Sequence, residues 1–209
     1  MTGGTTPRRL IVGITGATGI VFGIRALQVL RELGIESHLV VSRAGEMTRD
    51  YETGLSREQL HAMADVVHPI GDVGASIASG SFQTMGMLIA PCSVRTLAEV
   101  ASGVTTTVLT RAADVVLKER RRLVLMVREA PLHAGHIRNM LSVTEIGGII
   151  HPPVPAFYTH PESVQDIVDH SLGRALDCFG IEMRDMLRWD GEQRRKLAEA
   201  PSEVTVLKS

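Results

Sequence analysis

Apolar residues along the chain alternate between two textures. Leu10 to Ile14, Met87 to Ala90, Leu123 to Val127 and the pair Ile149 and Ile150 are short and almost wholly apolar, and Ser37 to Val41 (SHLVV) reads as a further buried strand. That is the pattern of strands buried on both faces of a sheet. Between them, apolar positions return at helical spacing over Ile20 to Leu33, Thr96 to Ala101, Val108 to Arg120, His133 to Val143 and Glu162 to Cys178. Gly34, the pair Gly147-Gly148 and Gly180 stand where such helices stop. A polar helix is expected over Gly45 to Glu52, and Ser56 followed by Gln59 predicts a capping box for a helix reaching Ala64. Gly71 to Phe82 carries no stripe and reads as a loop, of a length that usually serves function in a compact domain. Strands alternating with helices predict an α/β fold: a doubly wound parallel sheet in a Rossmann/flavodoxin-like three-layer αβα sandwich, with a right-handed crossover in its first unit.

In that architecture ligands bind outside the carboxyl ends of the strands. Four of those ends carry polar sets: Thr15 to Gly19, Ser42-Arg43, Cys92-Ser93 and Arg128-Glu129. The glycines at 13, 16, 19 and 23 do not make the dinucleotide fingerprint, and Ser42-Arg43 replaces the acidic residue that would hold a ribose. Gly16 to Gly19 opening a helix suits a phosphate, or simply a tight turn. Ser93, placed to cap the next helix, favours a mononucleotide. Arg111, Asp114 and Lys118 share one helix face, either aiming two cations at the sheet edge or continuing the solvated run Glu119 to Arg122. Glu129 follows an apolar strand and an arginine, so burial is expected to raise its pKa while Arg128 opposes the rise. Such a group exchanges protons near neutrality; the alternative is an Arg-Glu pair closing a loop. His133 and His136 lack a third ligand of matching spacing and read as helix caps or surface residues rather than a metal site. Cys92, between Pro91 and Ser93, reads as backbone-shaping rather than nucleophilic.

Composition narrows the setting. The 209 residues are 44% hydrophobic and 22% charged, enough for one domain with a real core. With 22 basic against 23 acidic residues the net charge is -1, so no global field recruits nucleic acid or an acidic membrane, and any anion site must be local. Two cysteines build no disulfide framework and point to a reducing, cytoplasmic setting. The N-terminus fits neither a secretory signal nor a membrane span. The expected organisation is a flexible tail over 1–9, one domain over 10–189, and a tail over 190–209 that is either frayed or a short helix from Gly191 to Ala200.

Taken in order, the segments Gly13 to Gly19, Ser79-Gly80-Ser81-Phe82, Pro91-Cys92-Ser93, Arg111 to Val115 with Leu117-Lys118-Glu119, Arg128 to Leu132, Asn139-Met140-Leu141, Pro155 to Tyr158, Arg174 and Arg188-Trp189 resemble the flavin prenyltransferases of the UbiX/Pad1 type. The resemblance implies a homododecamer that binds reduced FMN as acceptor and joins to its N5 and C6 the dimethylallyl group of dimethylallyl phosphate, without a metal. The product would pass to a UbiD-type decarboxylase. Carried over by position, Gly16, Ala17, Thr18, Ser42, Ser93, Val94, Arg95, Thr96, Arg111 and Arg128 match FMN-binding residues. Tyr158 and Arg174 match the donor-phosphate site, with Lys118, Arg111 and Glu52 beside them. Glu129 matches the acid/base glutamate, and Lys118, Trp189 and Ser79 are the further catalytic candidates. Some of these are expected from a neighbouring subunit. Two other readings are a non-catalytic FMN carrier for a decarboxylase and an FMN-dependent cysteine decarboxylase; the latter should carry a histidine after its first helix and a PxxNxxM-type signature, which are not evident.

Overall fold

The computed structural model describes residues 8–184 and 186–189. Six parallel strands form one sheet: β1 (Arg9–Ile14), β2 (Glu36–Val41), β3 (Val66–Val67), β4 (Gly86–Cys92), β5 (Arg122–Val127) and β6 (Ile149–Ile150), in the spatial order β3-β2-β1-β4-β5-β6. The helices are α1 (Ile20–Glu32), α2 (Arg43–Glu52), α3 (Arg57–His61), α4 (Val94–Ala101), α5 (Val108–Lys118), α6 (Ala134–Glu145) and α7 (Val164–Asp177), with short 3-10 turns at Ser76–Ala78 and Phe157–Thr159.

Alternation along each strand feeds two cores. Leu10, Val12 and Ile14 of β1 face a layer built from α1 and α7, whereas Ile11 faces one built from α4 and α5. Both sets are nearly inaccessible to water, each large side chain contributing about 1.5–3 kcal/mol by its burial. The order of strands reverses direction between β1 and β4, and the ligand crevice of such a sheet lies outside that point.

Helix starts moved from the expected positions for a common reason, namely that a side chain caps the helix just ahead of it. Ser93 accepts from the Thr96 amide at 3.2 Å, so α4 begins at Val94 rather than Thr96. Ser163 and Asp166 form a capping box, so α7 begins at Val164 rather than Glu162. The expected box of Ser56 and Gln59 is present on α3. α5 stops at Lys118 instead of Arg120, because Arg120 turns into the left-handed region with φ 58°. The pair Val66–Val67 gave too short a signal to be foreseen as a strand. Arg9, expected in the tail, opens β1 and donates to Glu36 at 2.9 Å across the β1–β2 edge. Residues 1–7, and the tail over 190–209 with its expected helix, lie outside the described residues.

Candidate functional site

The glycine turn ahead of α1 and the first turns of α2, α4 and α5 converge beside the β1–β4 junction at the carboxyl edge of the sheet. Thr15, fully buried at the end of β1, donates to the Pro91 carbonyl at 2.8 Å and accepts from the Ser93 amide at 2.8 Å. One hydroxyl thereby locks the glycine turn to the end of β4, a role the sequence did not reveal. Gly16 follows, and a Cβ there would sit 2.3 Å from that of Ala44, so the turn can lie against α2 only as glycine. Gly19, at φ 98°, starts α1 in a conformation that disfavours side chains. Ser42 caps α2 by accepting from Gly45 at 3.0 Å, as Ser93 caps α4.

These turns enclose a cavity of about 380 Å³ lined by Gly16, Ser42, Arg43, Ser93, Arg95 and Thr96, with Ile70 and Gly71 as one wall and Thr106, Thr107 and Glu99 as another. The amides and dipoles of converging helix N-termini favour an anion there. Five of the expected FMN positions line it: Gly16, Ser42, Ser93, Arg95 and Thr96. Ala17 and Thr18 continue the glycine turn at the rim and Val94 is the first residue of α4. The loop wall and the cap of α5 were not foreseen as lining residues, although the Gly71 to Phe82 stretch was read as functional from its length.

The N-terminus of α1 differs from expectation. Its free amides are taken by a carboxylate from α2: Glu52 accepts from Gly19 at 2.8 Å and from Ile20 at 3.0 Å. Burial pushes that carboxyl up, but hydrogen bonds from Thr18 and the two amides, with Arg128 nearby, outweigh it and hold Glu52 below the usual carboxylate range. An anion bound in the cleft is therefore met by α4 and α2 more than by α1. At the same rim the Arg128 amide donates to the Cys92 carbonyl at 3.1 Å. Glu129 projects from the end of β5 and accepts from the Ala130 amide at 3.0 Å. It is exposed in the protomer, which corrects the expected burial: β5 ends at Val127, and the chain leaves the sheet before Glu129.

The remaining candidates form two other groups. Lys118 is the last residue of α5, which runs antiparallel to the strands and so delivers it to the amino edge. There its ammonium pairs with Glu119 and lies 2.8 Å from where a Cβ on Gly80 would stand. Ser79 is exposed in the same loop, its hydroxyl 3.0 Å from that of Ser81. Arg111, seven residues and about 10 Å back along the helix, is held by Asp114 at 2.7 Å and does not line the cleft. The expectation that Arg111 and Lys118 act at one edge thus fails within a single chain.

The third group lies on α7 and the segments flanking it. The Tyr158 hydroxyl meets His170 Nε2 at 3.2 Å, and its ring packs edge-on to Trp189 at 5.5 Å. Burial, with Arg174 and Arg188 close by, pushes the His170 imidazole down. Arg174 donates to Asp177 at 2.8 Å, and Arg188 grips the same carboxylate at 2.7 and 2.8 Å. His170 had no signal in the sequence beyond its place on a helix.

His133 is a cap, its Nδ1 accepting from the amides of Gly135 and His136 at 3.0 and 3.4 Å. Complete burial pushes the Cys92 thiol far up, which removes it as a nucleophile. Among the described residues no group of three or more His, Cys, Asp or Glu side chains is arranged to hold a metal ion.

The profile of a family described as Flavoprotein matches residues 3–176. A flavin prenyltransferase UbiX of Neisseria meningitidis serogroup B is 58% identical over 184 residues, which is 88% of this chain and 97% of the relative. Among solved structures, AnUbiX (PadA1) in complex with FMN and dimethylallyl pyrophosphate superposes with a TM-score of 0.87 at 50% identity, covering 88% of this chain and 98% of that one. A dodecameric FMN-dependent Ubix-like decarboxylase from Escherichia coli O157:H7 gives 0.85 at 49% identity over 88% of this chain and 100% of the other.

Proposed function

The chain belongs to the Flavoprotein family and, within it, to the flavin prenyltransferases, and from that premise we propose how its residues divide the work. It is a flavin prenyltransferase that acts on FMN. The cleft at the β1–β4 junction holds the flavin, with Ser42, Ser93, Arg95 and Thr96 on its polar groups and Gly16 allowing close approach of the turn. Thr18, Ala17, Val94 and Arg128 complete the rim. The single observation that carries this reading is the convergence of capped helix N-termini on a glycine cradle that a Cβ would fill.

Reduced FMN supplies the nucleophilic N5 and C6 positions, and dimethylallyl phosphate the prenyl group. Lys118 and Arg174 hold the donor phosphate and stabilise the charge that builds on it as the allylic C–O bond breaks. Tyr158 donates a hydrogen bond to that phosphate. Trp189 offers an aromatic face to the allylic cation and keeps water from it. Glu129 carries the proton that must move as the new bonds form.

In one protomer these groups cannot meet. The six residues of β5 separate the Lys118 edge from Glu129 by roughly 20 Å. We therefore place the working site at subunit contacts of a dodecamer, where Lys118, Ser79 and the Tyr158–Arg174–Trp189 group of neighbouring copies reach the flavin cleft of this one. Arg111 joins that contact from α5. The prenylated flavin is passed to a UbiD-type decarboxylase. No helix among the described residues is long and apolar enough to cross a membrane, and the unpaired Cys92 and Cys178 suit a reducing cytoplasm.

Anaerobic incubation with reduced FMN and dimethylallyl phosphate, followed by mass spectrometry of the flavin, tests the activity. A flavin heavier by one dimethylallyl unit is expected; a carrier would return it unchanged.

A further inference from the structure

A polar chain with no part in the reaction runs along the amino half of the sheet, from the partly exposed Arg9 and Glu36 to the buried His38 and His68. Arg9 Nε donates to Glu36 Oε2 at 2.9 Å, His38 Nε2 donates to Glu36 Oε1 at 2.8 Å, and His38 Nδ1 meets His68 Nε2 at 2.9 Å. The carboxylate fixes the tautomer: a neutral His38 protonated on Nε2 presents Nδ1 as acceptor to the Nε2–H of His68. His38 is 3% exposed and His68 8%, their rings stacked at 5.2 Å. Two buried imidazoles carry a desolvation cost that packing alone does not require.

Their position shows what they hold. The edge of Phe82 meets the His38 ring at 5.2 Å, and the Arg9 guanidinium lies 4.8 Å from the Phe82 centroid. His38 therefore touches both ends of the segment from His68 to Phe82. Between those ends, Ile70 and Gly71 line the flavin cleft, while Ser79 and Gly80 stand beside Lys118. Arg121 adds a second anchor at the far end only, donating to the carbonyls of Gly80 and Phe82 at 2.7 Å each. The near end is joined to α5 through the Ile70 carbonyl, which accepts from Val108 at 3.0 Å.

We propose that His38 is a positioning residue that registers this segment at both ends, so that Ser79 and Lys118 are presented in the arrangement the prenyl donor requires. The proposal rests on the reading that Ser79 and Lys118 serve the donor. The flavin cleft has four other anchored turns and depends on His38 less.

Steady-state kcat and KM for dimethylallyl phosphate and for reduced FMN, measured on assembled full-length protein together with melting temperature and oligomer mass, test it. His38→Leu should lower donor kcat/KM by about tenfold or more while the KM for FMN stays within about twofold, because misplacement of a donor-side group is felt at the reacting centre. His38→Asn, whose amide falls near Nδ1 and keeps the bond to His68 but not the packing against Phe82, should recover part of the loss and give a donor kcat/KM between those of His38→Leu and the parent. An assembled His38→Leu with unchanged donor kcat/KM overturns the proposal, as does an equal loss for flavin and donor, the signature of general destabilisation. Should His38→Leu not assemble, Phe82→Leu severs the other contact and carries the same expectation. Lys118→Ala, run in parallel, separates the two ideas. If it keeps full donor kcat/KM, the donor-site reading itself fails; if it loses activity while His38→Leu does not, only the role of His38 fails.

Discussion

Glu129 stands two residues beyond a strand whose last five positions are buried, and its carboxylate remains at the surface of the protomer. A group so placed contributes little to folding and is accessible for the acid/base role proposed for it. Glu129→Gln should bind reduced FMN as before and lose prenylation by about 10²–10⁴-fold, the usual worth of a positioned acid/base; single-turnover flavin mass analysis checks both halves. Gly16 is the opposite case, a residue defined by the absence of a side chain. Gly16→Ala forces a Cβ into Ala44, so a loss of about 1–3 kcal/mol in stability and weaker FMN binding are expected, read by urea unfolding and flavin fluorescence titration. Glu52, whose pKa is lowered in the fold, stabilises α1 above its unfolded pKa near 4.5, and that contribution disappears as pH falls through the lower folded value.

Helix termini and one connecting segment do most of the organising at the next scale. Ser93 both caps α4 and faces the cleft, so Ser93→Ala should cost about 1 kcal/mol in stability and weaken FMN binding beyond what that loss explains, as calorimetry would separate. The segment from His68 to Phe82 should respond to acid. Burial first, then the nearby His38, lowers the His68 pKa beneath its ordinary value of 6.5. The unfolded chain therefore binds the proton more readily than the native one, and the stability held at and above about pH 6.5 falls away as pH drops from there toward the folded pKa. Melting temperatures between pH 7.5 and pH 5.5 should decline in the parent and decline less steeply in His68→Gln, the remainder coming from His151 and His170, whose pKa values burial also lowers. Glu52 acts in a lower window, which keeps the two effects apart.

At the scale of the whole molecule, three groups of candidate side chains occupy different parts of one protomer, and their proposed meeting place is an assembly of copies. Mixed oligomers test this directly. Lys118→Ala and Glu129→Ala homo-oligomers should each be inactive, yet co-assembled in equal amounts they should regain about a quarter of parental activity, since half the sites draw an intact Glu129 and half of those an intact Lys118. Activity confined to the parent under verified co-assembly would mean that both residues come from one chain.

Much of this protein is legible without coordinates. Apolar runs alternating with helical stripes gave the parallel sheet, because strands buried on both faces need no polar phase, and polar residues at strand ends marked the edge where ligands bind. The glycine turn, Ser42 and Ser93 were found this way, and the ordered motifs from Gly13 to Trp189 carried the family. Tertiary structure decided which of these residues share a space. Linear spacing placed Arg111 and Lys118 on one helix face, but it could not say that the helix carries Lys118 to the far edge of the sheet. It could not place Glu129 outside the core, assign Glu52 to the α1 amides, or pair His38 with His68 across thirty positions. Local sequence fixes period and capping through neighbours a few residues apart; proximity between distant segments is set by how layers pack, and that was settled only in three dimensions.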